Sequence, residues 1–463
     1  MKRQVPLLIV ALLHTQALAP VARAALTAGC ARVNITPPVG VWLSGYGARN
    51  KPSDDIEDEL FAKALVLCDG TETVALIATD LLWVPIARTN EIRGIVEAKT
   101  GIPARNVLVC ASHTHFGPKI YSETALGPEV SDNSVDESYV RTLVKKIANS
   151  VFLAHRNMQE VRIGAACGAV PEIVYHRRPK RADGSVTMAF HLPPEIVATR
   201  KIVRSSDGAV SAAFTYPADQ PQLTFGPIDP AVWVLRIETP DGGLLASVVN
   251  FACHAVSGST YPDWFYSISA DYPGEMMRVV EKVEGGICMF TSGTAGDIVP
   301  LKRGKEPRFW IGRALAGEVD KKLQFVPTSD AVTLLGRKTE VELPLKEDLP
   351  PDAILNAGAD AKSLTAEIQV LKIGDVYVLG LPGEVLVEVG LEIKKRAPVE
   401  KLLIIALAND SIGYVCHRQA YEEGGYESGP GANLAPGAAE TMIDHALQLI
   451  EQTKEATARA ASL

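Results

Sequence analysis

Residues 74–111 read VALIATDLLWVPIARTNEIRGIVEAKTGIPARNVLVCA. Val74–Thr79 and Val107–Ala111 are short, apolar and β-branched, the composition of buried strands. Between them Thr89–Lys99 runs from a capping residue to a stop at Gly101, as a helix does. Strand, helix, strand in this span is a βαβ unit and predicts an α/β class. Leu245–Cys253, Ile287–Thr291, Val376–Leu379 and Leu402–Leu407 read as further buried strands. Val385–Lys395 and Ala438–Glu455 read as amphipathic helices, the latter through Met442, Ile443, Ala446, Leu447 and Ile450. The expected architecture is one large domain, residues 25–463, with mixed β-sheets flanked by helices. No internal repeat is apparent. Phe116–Glu137 and Val170–Pro230 read as long loops, the kind that form lids or site walls. The second holds the basic run His176-Arg177-Arg178-Pro179-Lys180-Arg181, most of whose charge is expected to be solvated.

The composition is that of an ordinary globular chain. Of 463 residues, 47% are hydrophobic, 22% charged and 6% aromatic, which excludes a coiled coil, a collagen-like rod and a disordered tail. A formal net charge of −8 repels phosphate backbones, so no nucleic-acid partner is expected. Lys2 and Arg3, the apolar stretch Val5–Leu13 and the A-x-A site Ala22-Arg23-Ala24 lay out a secretory signal peptide over residues 1–24. An uncleaved anchor is the alternative; a lipoprotein site at Cys30 lies too far from the apolar stretch. Removal of the segment takes Lys2, Arg3 and Arg23 and no acid, so −8 becomes −11. The expectation is a secreted or periplasmic protein. No later stretch reaches the roughly 18 apolar residues of a membrane helix, leaving at most peripheral membrane contact. The seven Cys are odd in number, contain no C-x-x-C and sit mostly in apolar runs. They read as buried small hydrophobes, with neither a disulfide framework nor a zinc–thiolate cluster.

Chemistry-bearing residues follow the strands. Asp80 follows VALIAT, and Ser112-His113-Thr114-His115 follows VLVCA. His254 follows LASVVNFAC, and Ser292-Gly293-Thr294-Ala295-Gly296-Asp297 follows ICMFT. VYVL leads to Gly380-Leu381-Pro382-Gly383-Glu384, and LLIIAL to Asn409-Asp410-Ser411-Ile412-Gly413-Tyr414. In open α/β sheets ligands bind beyond the carboxyl ends of the strands, so these groups are expected at one rim. In extended backbone His113 and His115 point to the same side, one to ligate and one to hydrogen-bond or move a proton. A lone His-x-His is as readily a solvated strand end or a core pair; His254 and Glu384 at matching positions favour a metal. Imidazoles with a carboxylate suit zinc. Glu384 by itself is equally a helix-start acid favoured by the dipole.

These segments, in order, resemble the neutral, non-lysosomal ceramidase family. Gly29-Cys-Ala-Arg-Val-Asn-Ile-Thr-Pro-Pro-Val-Gly and Ser44-Gly45-Tyr46-Gly47 are similar to its opening. Ala111-Ser-His-Thr-His-Phe-Gly-Pro118 resembles its (S/T)-H-T-H-S-G-P motif, Asn250-Phe-Ala-Cys-His254 its second His strand, and Gly293-Thr-Ala-Gly-Asp-Ile-Val-Pro300 its N-x-G-D-V-S-P-N motif. Leu381-Pro-Gly-Glu384, Asn409-Asp-Ser-Ile-Gly-Tyr-Val and Tyr421-Glu-Glu-Gly-Gly-Tyr-Glu427 resemble the last motifs. The resemblance implies a secreted or periplasmic zinc amidohydrolase acting on a lipid amide. It implies His113, His254, Glu384 and Tyr414 as metal ligands, with His115, Arg177 and Tyr426 lining the pocket. Tyr414 is alternatively a core tyrosine with a satisfied hydroxyl.

Three departures bear on the chemistry. The family's proposed nucleophilic Ser is Val299 here, the Ser after H-T-H is Phe116, and its C-terminal β-sandwich domain is not expected in this chain. A serine acyl-enzyme route at that position is excluded, and ceramide itself is put in question as substrate. The expected mechanism is a zinc-activated water, with His115 or Asp297 moving the proton and Arg177 and Tyr426 holding the oxyanion or a substrate hydroxyl. Asp80 and Asp271 are candidate carboxylates behind the imidazoles; for Asp80 a structural cap is an equal alternative. The alternatives are the same zinc site acting on an ester, lactone or sugar amide, and a non-catalytic metal- or lipid-binding homologue.

Overall fold

The βαβ unit of the opening stretch is present, and it occurs three times. A computed structural model describes residues 25–121, 135–258, 264–347, 349 and 361–461. The expected signal segment and part of the loop after Phe116 lie outside the described residues.

In the first unit Thr27–Asn34, Phe61–Cys68 and Thr73–Thr79 are antiparallel neighbours, and Val107–Ala111 adds in parallel beside Thr73–Thr79. The helix Ile86–Thr100 makes the crossover, and the helix Glu137–Arg156 follows. The second unit repeats this with Arg162–Ala169, Ala231–Glu238, Leu244–Phe251 and the parallel Ile287–Ser292. Its helices are Asp271–Glu284 and Lys305–Phe325. The third uses Leu334–Pro344, Ser363–Ile373, Val376–Gly380 and the parallel Lys401–Ile405, with helices Val387–Arg396 and Ala438–Ala461. A crossover of this length is what two parallel neighbours require. The fold is thus mixed α/β, with helices on one face of each sheet.

Alternation along each strand explains how the sheets meet. In Phe61–Cys68, Ala62, Ala64 and Val66 pack against the unit's own helices, while Leu65 and Leu67 face the other way. Those opposite faces meet in one core that draws Leu76 and Leu108 from the first unit, Leu235 and Val248 from the second, and Val378 and Leu403 from the third. The parallel strands Val107–Ala111, Ile287–Ser292 and Lys401–Ile405 are buried on both faces, so they read as continuous apolar runs.

Each unit ends in a parallel strand with an open edge, and polar side chains from a neighbouring unit cover it. Asn409 of the third unit takes Val109 N–H on its Oδ1 at 2.9 Å and gives its own N–H to Val109 O at 2.7 Å. Lys63 of the first donates to Cys288 O of the second at 2.7 Å. Asn250 of the second donates to Ile404 O of the third at 3.0 Å. Asn409 sits at φ 66°, a conformation Asn tolerates better than most side chains. Its Nδ2 reaches Glu367 at 3.0 Å and Gln369 at 2.8 Å, and Arg93 of the first unit pairs with the same Glu367 at 2.8 Å.

Expected elements and observed ones agree closely, with three differences. Val170–Pro230 is not one long loop: it holds the strands Val174–His176, Lys201–Arg204, Val210–Ala213 and Pro227–Ile228 and the short helix Pro194–Val197. Thr89 is not a cap: the first helix begins at Ile86 behind Pro85, and Thr89 is fully buried. Gly101, at φ 74°, does end that helix. The basic run is not solvated at its start, because His176, Arg177 and Arg178 are buried. All seven cysteines are free, five of them buried. Among the described residues no helix is long and apolar enough to cross a membrane.

Asn409→Ala should cost about 3 kcal/mol of stability, because it leaves the buried Val109 N–H and the Glu367–Gln369 pair short of partners. Urea unfolding measures this; a change below about 0.5 kcal/mol would show that the edge is held without Asn409.

Candidate metal centre

The ends of the parallel strands are stitched into one rosette by short backbone contacts. Thr114 bridges Ala255, and His115 N–H donates to Ala255 O at 3.3 Å. His254 N–H donates to Ile298 O at 2.9 Å, and Gly296 N–H to Val385 O at 2.9 Å. Glu384-Val385 pairs in parallel with Tyr414-Val415, placing Glu384 directly beside Tyr414. These contacts draw residues far apart in sequence to one point.

There His113, His115 and His254 stand with ring centroids 4.6–5.6 Å apart. Glu384 Oε2 lies 3.3 Å from His113 Nε2 and 3.1 Å from His254 Nε2. His113 Nδ1 faces Leu82 O at 3.1 Å, and His254 Nδ1 faces Ala295 O at 2.5 Å. A carbonyl only accepts, so each Nδ1 carries a proton, and a ring in its neutral form then turns its Nε2 lone pair to Glu384. Two lone pairs and a carboxylate pointed at one place repel unless a cation stands between them. Anchoring of the far ring nitrogen by a carbonyl is the support that metal-ligating histidines receive. Burial, with the Arg177 charge second, lowers the His254 pKa to about 4 and keeps it neutral.

Tyr414 is buried beside this group, and burial followed by the Glu384 charge hold its phenol pKa well above 10. Arg177 Nη2 donates to its hydroxyl at 3.0 Å, and Arg177 Nη1 stands 3.5 Å from His254 Nε2. Tyr426 packs edge-on against Tyr414, and Phe190 against Tyr426. Both Phe190 and Tyr426 are more than a third exposed, so they form an aromatic rim above a buried polar floor.

His115 differs from the other two rings. Its Nε2 lies 3.4 Å from His113 Nε2, but its buried Nδ1 has no hydrogen-bond partner among the described residues. Burial, then the neighbouring imidazoles, hold its pKa well below 6.5. The ring is wedged between Tyr46, 5.0 Å away, and Gly45. Gly45 sits at φ 92°, and a Cβ there would fall 2.5 Å from the imidazole. No larger residue fits.

Other expected residues lie elsewhere. Asp297 Oδ2 is 3.1 Å from His176 Nε2, its Oδ1 accepts from Val387 N–H, and Glu388 Oε1 is also 3.1 Å from His176 Nε2. This second cluster has ligand-like composition but the opposite tautomer. Arg178 N–H donates to His176 Nδ1 at 3.1 Å, so the proton sits on Nε2 between the two acids. It is a proton-holding strut between the Arg177 loop and the helix after Glu384, not a second cation site. Asp80 accepts from Phe61 N–H, and Asp271 from the N–H groups of Ser257 and Gly258. His113 and His254 are backed by main-chain carbonyls instead. His113 is not extended as expected but left-handed, at φ 64°, a strained state typical of functional sites. Four contributors have no counterpart in the sequence reading: Phe190, the carbonyls of Leu82 and of Ala295, and Glu427. Only Glu427 had a sequence signal, its place in Tyr421–Glu427.

Unfolded His254 binds a proton below about pH 6.5, whereas the folded ring does so only near pH 4. The unfolded chain thus holds more protons in that window, and stability must fall as pH drops through it. Urea unfolding of chelator-treated protein at pH 7 and pH 4.5 should show a larger loss for wild type than for His254→Asn. Equal losses would contradict a buried neutral ring.

Comparison with known proteins supports the resemblance at the start of the chain and in the fold. Residues 26–181 match the family model for neutral/alkaline non-lysosomal ceramidase, N-terminal. The neutral ceramidase from Pseudomonas aeruginosa superposes with a TM-score of 0.70 at 19% identity, over 93% of this chain and 75% of that one. A ceramidase complexed with C2 gives 0.70 at 18%, over 93% and 76%. At such identity the superpositions speak for the fold. By its ordered motifs, by the match over residues 26–181 and by its fold, this chain resembles the neutral, non-lysosomal ceramidase family.

Proposed function

We propose that this protein is an exported zinc-dependent amidohydrolase that cleaves the N-acyl amide of a ceramide-like lipid with water. The observation that carries the proposal is the convergence of two carbonyl-anchored imidazoles on one oxygen of Glu384. His113, His254, Glu384 and Tyr414 would hold the ion; the N/O donor set suits zinc. Bound zinc supplies Lewis acidity toward the scissile carbonyl and brings the pKa of water towards about 7. His115, neutral and without a carbonyl anchor, takes the proton from the attacking water and passes it to the leaving nitrogen. Arg177 and Tyr426, beside Tyr414, hold the developing oxyanion or a substrate hydroxyl. Asp297 has no part in proton transfer, because His176 and Val387 N–H occupy it. The products are a carboxylic acid and an amine. The Phe190–Tyr426 rim gives an acyl chain an apolar approach, and the sequence of residues 1–24 supports export to a secreted or periplasmic location.

One observation favours a different acyl substrate. Val299 is fully buried in an apolar cluster with Tyr175 and Val256, so no hydroxyl is offered there to a ceramide head group. The same centre would then act on an ester, lactone or sugar amide.

Purified mature protein should bind about one equivalent of zinc, and His113→Ala, His254→Ala and Glu384→Ala should each abolish this by elemental analysis. Less than a tenth of an equivalent in wild type after refolding with excess zinc would end the proposal. His115→Ala should keep the metal and lower kcat about 10²–10³-fold. Faster turnover of long-chain N-acyl amides than of short esters supports the lipid reading, and the reverse order supports the second.

A further inference from the structure

We propose that Glu427 is a positioning residue that neutralises Arg177 beside the metal centre and thereby sets how tightly the pocket holds its ion. The inference rests on the metal reading above. Arg177 is buried, with one terminal nitrogen on Tyr414 and the other 3.5 Å from His254 Nε2. It therefore reaches two of the four candidate ligands. An unbalanced guanidinium there competes for the same lone pairs and repels a divalent ion.

Glu427 answers that charge. It has no solvent exposure, and its Oε1 accepts from Arg177 Nε at 2.6 Å. Its Oε2 accepts from Arg178 Nη1 at 2.9 Å. Arg178 Nη2 in turn donates to Gly424 O at 2.9 Å, which ties the pair to the segment between Tyr414 and Tyr426. Holding Arg177 through Nε leaves both terminal nitrogens directed at the site. The geometry thus couples one buried acid outside the ligand set to the charge that the ion meets. At an effective dielectric of about 20, one uncancelled charge within several ångströms of a divalent ion weakens its binding at least about tenfold.

The test is zinc affinity, measured by chelator competition on folded protein, with a double-mutant cycle. Glu427→Gln should bind zinc at least about tenfold more weakly than wild type, and Glu427→Asp, which keeps the charge, should recover most of the loss. Arg177→Met should bind zinc no more weakly than wild type, and adding Glu427→Gln to it should change affinity less than about twofold. A merely structural Glu427 would lower the unfolding midpoint without this dependence on Arg177. The proposal is overturned if Glu427→Gln binds zinc as wild type does, if it weakens zinc equally without Arg177, or if Arg177→Met alone weakens zinc. The last arm decides the matter even if Glu427→Gln does not fold. Absence of zinc binding in wild type would instead overturn the metal reading itself.

Discussion

Everything in this molecule is arranged around an electrostatic conflict that only positive charge can resolve. His113 and His254 each give an Nδ1 proton to a main-chain carbonyl, so the neutral form of each ring bares Nε2, and both Nε2 atoms face the same carboxylate oxygen. Three acceptors within contact distance of one another in a buried place would separate if the chain allowed it. The chain does not, because each acceptor hangs from the end of a different sheet. The rigidity of the three sheets is therefore what maintains the site.

The same tautomer logic separates two clusters that composition cannot tell apart. His113, His115 and His254 form one group of metal-ligand type, and His176, Asp297 and Glu388 form another. In the first, the distal nitrogens of two rings donate to carbonyls. In the second, the distal nitrogen accepts from Arg178 N–H. One cluster bares lone pairs, and the other keeps a proton between two acids. The second cluster still serves the first, because Asp297 grips both the Arg177 backbone and the helix that follows Glu384.

Much of this was legible in the sequence. The parallel strands could be read because both their faces are buried, so VLVCA and LLIIAL are uninterrupted apolar runs. His113, His254, Glu384 and Tyr414 could be read because each follows such a run. The threefold recurrence could not, since the three units share a pattern of burial and hydrogen bonding but no motif. The burial of Arg177 and Arg178 was hidden because a basic run looks solvated until its buried acid, Glu427, is known. The carbonyls behind the imidazoles were hidden for a simpler reason: every residue has one, and only the fold decides which are used. That is why Asp80 and Asp271, acids at suggestive positions, look like the support that main-chain carbonyls provide.

The edge contacts carry a consequence for how the chain comes to be. Val109 lies on an open strand edge whose cover, Asn409, is synthesised 300 residues later. Until the last third of the protein exists, the first sheet presents unpaired backbone to its surroundings, a template for mispairing with other chains. That edge stays a liability for the emerging chain until its final portion arrives to cover it. A version truncated before residue 409 would keep its three histidines and still be prone to aggregate.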